Sequence, residues 1–143
     1  MNRLVSIFLV ILLAGCGGQA PPAPQTQTTE DGTPQPREFP EPPNDLTSET
    51  AKQTALKYEA AYINRRLINS TVDDFSAWSG QFPDAEVANR TDDGYVVDVR
   101  MPYYYKKGDR DTDAFTRARY LVSSDTVRRT NGSSVSPALT NPK

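Results

Sequence analysis

Asp92-Asp93-Gly94-Tyr95-Val96-Val97-Asp98-Val99-Arg100-Met101-Pro102-Tyr103-Tyr104-Tyr105 is the stretch on which the fold turns. Asp-Asp-Gly suits a hairpin turn, because glycine takes the positive φ that tight turns need. From Tyr95 onward the side chains alternate. Tyr95, Val97, Val99, Met101 and Tyr103 share one face, and Asp98, Arg100 and Tyr104 the other, which is the period of a half-buried strand. Pro102 has no N–H for a ladder, so the strand is expected to bulge there or border an edge. Upstream, Ala85 to Thr91 reads as the partner strand. Downstream, Lys106 to Asp113 reads as a polar loop, Phe115 to Ser123 as a third strand and Thr126 to Thr130 as a short fourth. From Asn131 the chain reads as a frayed tail.

Before the strands comes a different period. Glu49 to about Ile68 is rich in Ala, Leu, Lys and Glu and has no Gly or Pro. Thr47 or Ser48 can cap it, with Glu49 in the first turn. At 100° per residue Ala51, Ala55, Tyr58 and Tyr62 share a side with Leu56, Ile63 and Leu67 beside them. Thr54, Lys57, Asn64 and Arg65 lie opposite. Val72 to Phe82 reads as a turn-rich connector that places Phe75, Trp78 and Phe82 on the core. The expected fold is α+β, one amphipathic helix lying across a three- to four-stranded antiparallel sheet. The domain is expected over residues 47–131, followed by a flexible tail at 132–143.

Composition narrows the function classes. The chain has 143 residues, with Lys+Arg 16 against Asp+Glu 18 and no histidine. That near balance gives no general field to attract nucleic acid, which is not expected as a partner. Without histidine the usual neutral-pH base and the commonest metal ligand are missing. Cys16 is the only cysteine, so an internal disulfide is impossible. No cofactor or metal is expected.

The amino terminus carries the most specific pattern. Residues 1–15 read as a signal peptide, with Arg3 ahead of an apolar core from Leu4 to Leu13. About ten helical residues cover roughly 15 Å, half of a ~30 Å hydrocarbon layer. Leu13-Ala14-Gly15-Cys16 follows directly and resembles the lipobox of prokaryotic lipoproteins. The resemblance implies cleavage between Gly15 and Cys16 and a thioether-linked diacylglyceryl group on Cys16. Two acyl chains give a stable hold where one is only reversible. The implied location is the extracytoplasmic face of a membrane. Gly17 at the next position resembles outer-membrane sorting where the cell has two membranes.

Residues 16–46 read as a disordered linker. Eight of the twelve prolines fall here among Gln, Thr, Gly and Glu, and so polar a stretch cannot offset its ordering entropy. A flexible coil of this length spans ~30 Å r.m.s., and polyproline stiffening extends it toward ~90 Å.

Two resemblances concern the domain. Its helix-then-meander order resembles cystatin-like folds, which implies the arrangement of elements and no activity. Tyr58-Glu59-Ala60-Ala61-Tyr62, then Asn64-Arg65-Arg66-Leu67, a Tyr-rich strand and the Thr126-Val127-Arg128-Arg129 strand are similar to a group of small uncharacterised haloarchaeal lipoproteins. The near-neutral charge departs from the strongly acidic surfaces usual there.

Candidate sites are few. Glu59 and Arg66 project near the middle of the helix's apolar arc, about 10 Å apart along the axis. Each therefore needs a partner from the sheet or a ligand, or both snorkel at the edge of the face and meet Arg or Asp from a strand. Arg100, Arg117 and Arg119, with Arg90 and Arg128 nearby, can converge on the outer sheet face to bind an anion, or form a charged solvated surface with Asp98 and Glu86. Tyr103-Tyr104-Tyr105 offers a stacking surface or ordinary strand packing. Asp109, Asp111 and Asp113 alternate as calcium ligands do, but the pattern of an EF-hand is lacking. Asn69-Ser70-Thr71, Asn89-Arg90-Thr91 and Asn131-Gly132-Ser133 are glycosylation sequons, with Asn69 and Asn131 the better acceptors. The expected protein is a membrane-anchored lipoprotein with a small non-catalytic binding or structural domain. Its partners would be membrane lipid through Cys16 and an envelope protein or glycan. The alternatives are a carboxylate-dependent glycan hydrolase using two of Asp73, Asp74, Asp84 and Glu59, or a solute-binding accessory protein.

Overall fold

Thr47 caps the helix α1 (Ser48–Ile68) through a reciprocal box with Thr50, whose N–H donates to the Thr47 hydroxyl at 3.1 Å. Helix formers carry it to Asn69, whose side-chain amide donates to the Arg65 carbonyl. The computed structural model describes residues 35–77 and 82–136. The expected signal peptide, Cys16, most of the linker, Trp78 and residues 137–143 lie outside the described residues.

The strands are β1 (Asp74–Ala77), β2 (Asp84–Thr91), β3 (Gly94–Lys107), β4 (Arg110–Val122) and β5 (Val127–Gly132). All pair antiparallel. β4 runs along one side of β3 from Tyr95 to Lys107, while β2 and β1 share the other side end to end, and β5 closes the far edge beside β4. The α+β class is therefore as expected, with five strands rather than three or four. Tyr95, Val97, Val99, Met101 and Tyr103 are all buried against α1, together with Tyr120, Val122 and Val127. Met101 and Pro102 fall at the break between β2, which begins opposite Arg100, and β1, which ends opposite Tyr103. The imino nitrogen thus sits at a local edge, as its missing donor requires.

Several expectations are corrected. The connector after the helix contains β1, four residues in which Phe75 and Ala77 point inward. Phe82 is 86% exposed and does not reach the core. The polar loop from Lys106 to Asp113 shrinks to the two-residue turn Gly108-Asp109. There Lys107 pairs with Arg110, and Gly108 takes φ 57°. The Gly108 N–H also donates to the Asp73 carboxylate at 2.6 Å. Contacts continue past Asn131: Ser133 bonds to Arg117 at 2.8 Å, Val135 is buried, and the Ser136 N–H donates to the Tyr103 hydroxyl.

The helix is also covered on a side expected to face water. Thr54, Ala61 and Asn64 are buried. Residues 35–46 form a strap beside them: the Arg37 N–H donates to Asn64 at 2.8 Å, and Phe39 stacks on Tyr58 at 4.5 Å. Arg65 donates back to the Arg37 carbonyl, and its guanidinium lies over Phe39. One helix therefore has two buried sides, and simple amphipathic periodicity describes only one.

Candidate functional site

Two polar assemblies stand out, one inside the domain and one on the sheet's outer face. Inside, Glu59 is 0% exposed, one turn from the apolar neighbours Ala55 and Ile63. β5 supplies its partner. Arg129 Nε donates to Glu59 at 3.0 Å and Nη2 at 3.3 Å, and the Tyr120 hydroxyl of β4 donates to the same carboxylate at 2.5 Å. The Arg129 guanidinium also lies 4.3 Å from the Tyr62 ring and donates to the Ser133 carbonyl. Burial pushes the Tyr120 phenol well above its ordinary range, and the Glu59 charge adds to that. Burial alone would lower Arg129, but its bonds to Glu59 outweigh burial and leave it raised. A desolvated cation keeps its charge when an opposite charge and its hydrogen bonds are in place.

Arg66 does not join this group. It is exposed on the helix surface, its guanidinium 5.3 Å from the Tyr62 ring. Glu59 thus takes its partners from the sheet, and Arg66, too distant along the helix to pair with it, stays outside the group. Arg129 was missed although Val127, Arg128 and Arg129 alternate, and a buried Val127 places Arg129 inward too.

The outer face gathers the other candidates. Because β4 alternates with buried Thr116, Ala118 and Tyr120, it presents Phe115, Arg117 and Arg119 outward. Arg100 lies opposite Arg117, and Asp98 opposite Arg119. Across the other edge, Asp84 faces Arg100 and Glu86 faces Asp98. These residues line an open groove of about 710 Å³, with Asn131 and Ser133 on its far wall. Arg119 and Asp98 form a two-pronged pair at 2.6 and 2.7 Å. That pairing holds the Asp98 carboxyl below its ordinary range and Arg119 above its own. The guanidinium groups of Arg100 and Arg117 lie 4.5 and 4.8 Å from the Phe115 ring. An aromatic face steadies a cation through the ring's quadrupole. Sequence reasoning named the three arginines and missed Phe115, whose place among them follows from strand register.

The remaining candidates disperse. Arg90 stacks on Tyr95 and leaves the outer face, whereas Arg128 lies opposite Leu121 on it. Tyr103 is core, Tyr104 donates to Asp111, and Tyr105 stacks on Tyr103. Among the described residues no group of acidic side chains, Asp109, Asp111 and Asp113 included, is gathered to hold a metal ion. Of the four carboxylates weighed for hydrolysis, Glu59 is enclosed, Asp73 binds the Gly108 N–H, Asp74 binds the Phe75 N–H, and Asp84 alone lines the groove. Asn69, Asn89 and Asn131 are all exposed, at the helix end, a bulge of β2 and the groove wall. No helix among the described residues is long and apolar enough to cross a membrane. Comparison with known proteins finds no matching family model, curated protein or solved structure.

Proposed function

We propose that this chain is a lipid-anchored extracytoplasmic protein, fixed to the membrane through Cys16, with an α+β domain that acts as a non-catalytic interaction module. The observation that carries the anchor is Leu13-Ala14-Gly15-Cys16 set directly behind a short apolar core, in a chain with no other cysteine. The similarity to prokaryotic lipoproteins, haloarchaeal ones among them, supports the same reading. For the domain, the one fully buried carboxylate among the described residues, Glu59, is engaged by Arg129 and Tyr120 within the fold. The outer sheet face, with Phe115 and three arginines, is where a partner would be met.

The test is chemical. Protein isolated from its native membrane should give an amino-terminal peptide heavier than its sequence by a diacylglyceryl group on Cys16. A Cys16→Ser variant should move from the detergent phase to the aqueous phase. An unmodified thiol in native material, or a serine variant that still partitions with detergent, overturns the anchor.

A further inference from the structure

We infer that the outer face of the sheet is a self-complementary surface that pairs two copies of this chain. The inference rests on the reading of the domain as an interaction module and names its partner.

Over the half of this face that β2 covers, charge is sorted by strand; toward the hairpin tip, Lys106 on β3 and Asp111 and Asp113 on β4 mix the signs. β2 presents Asp84 and Glu86, β4 presents Arg117 and Arg119, and β5 presents Arg128. Between them, β3 carries Asp98 and Arg100. That half of the surface therefore runs from acidic to basic across its width. A polyanion or an anionic bilayer laid on it would gain at β4 and be repelled at β2. A second copy, turned about a two-fold axis parallel to the strands, reverses that order. Its β4 and β5 then lie over the first copy's β2, and the same contact recurs at the symmetric position. Only a partner with the opposite gradient satisfies both sides, and an identical chain has one by construction.

The centre of the face has the composition of an interface core. Phe115 is 44% exposed, with the guanidinium faces of Arg100 and Arg117 against it. Aromatic and arginine side chains are the ones enriched where interfaces are fully buried. Nothing among the described residues covers this face. The helix packs on the opposite side, the strap packs on the helix, and the chain after Ser133 turns inward to Tyr103.

The size of the surface sets the strength. Four strand positions ~4.8 Å apart and about ten residues of ~3.3 Å give roughly 600 Å² per copy. A standard interface uses ~800 Å² per partner, so pairing in free solution is weak and sensitive to salt. Two copies anchored in one bilayer meet at a far higher effective concentration.

The test uses the purified mature chain in density-matched detergent, with mass read by sedimentation equilibrium. At low salt the protein should form dimers that dissociate near 1 M salt, where the screening length is ~3 Å. Asp84→Arg with Glu86→Arg in one variant, and Arg117→Glu with Arg128→Glu in another, should each raise the dimer dissociation constant at least tenfold. Circular dichroism identical to the parent shows that each remains folded. An equimolar mixture of the two should recover the parent's affinity, because each reversed stripe then meets its complement. A parent that is monomeric at low salt, a variant that dimerises like the parent, or a mixture that stays monomeric each overturns the inference. Retention of a monomeric parent on uronate or sulfate polysaccharide beads, lost with Arg117→Glu, would make the face a glycan site instead. None of these outcomes bears on Cys16, whose acylation is read separately by mass.

Discussion

Glu59, Arg129 and Tyr120 are costly side chains to place in a small core, and their arrangement dictates how each responds to change. Removing the cation leaves a buried carboxylate unpaired. Arg129→Met is therefore expected to lower the unfolding free energy by about 3–5 kcal/mol in urea titration. Adding Glu59→Leu to that variant should restore most of the loss, since two apolar groups leave no orphaned charge. Tyr120 makes the fold sensitive to alkali. Its phenol titrates higher in the folded chain than in the unfolded one. Its contribution is thus complete below the unfolded value of about 10 and is lost as pH rises beyond it. Stability measured by urea midpoints should fall above that pH, and Tyr120→Phe should flatten the fall. Of this cluster, only Glu59 was legible in the sequence, as a charge on an apolar arc. Its partner lies seventy positions away, and no local pattern announces a contact of that separation. Gly132 belongs to the same group: a Cβ there would stand 2.3 Å from Arg129 Nη2.

At the scale of elements, the β2–β3 hairpin and the strap carry the clearest expectations. Gly94 has φ 141°, and a Cβ on it would lie 2.2 Å from the Val122 carbonyl oxygen. Neither backbone can yield easily. Gly94→Ala should cost about 2 kcal/mol or more in thermal or chemical unfolding. Gly108, with open space around it, should tolerate alanine better despite its positive φ. Phe39→Ala removes the stack on Tyr58 and the platform under Arg65, for an expected loss of about 1 kcal/mol. It should also speed proteolytic cutting within residues 35–46. These elements differ in how plainly they were written. β3 alternates from Tyr95 to Met101 and was readable from the sequence. β1 is too short to show a period. The Lys106–Asp113 stretch looked like a loop because its charges lie on a hairpin that extends beyond the helix, where both faces meet water. The strap looked like linker because proline-rich composition says nothing about a helix surface waiting to receive it.

For the whole molecule, element order and class followed from two periods, 3.6 and 2, set in sequence. The way β1 and β2 share one side of β3 did not, because collinear pairing depends on the length of β3 and the break at Pro102. The outer face was partly legible: alternation named its arginines, but the sorting of charge by strand required the register. The strap runs along the helix from Arg37, beside Asn64, to Leu46 just ahead of the Thr47 cap. Tension arriving from the amino-terminal side would meet Arg37 first and open the contacts one after another, a zipper rather than a bolt. Pulling experiments should record an early low-force step before the sheet begins to yield, shorter than the ~35 Å contour of about ten residues because the strap already spans several turns of the helix. The domain would then survive small tugs from that side unharmed, because slack is released from the helix surface and the hydrogen-bonded ladder bears no load until that slack is gone.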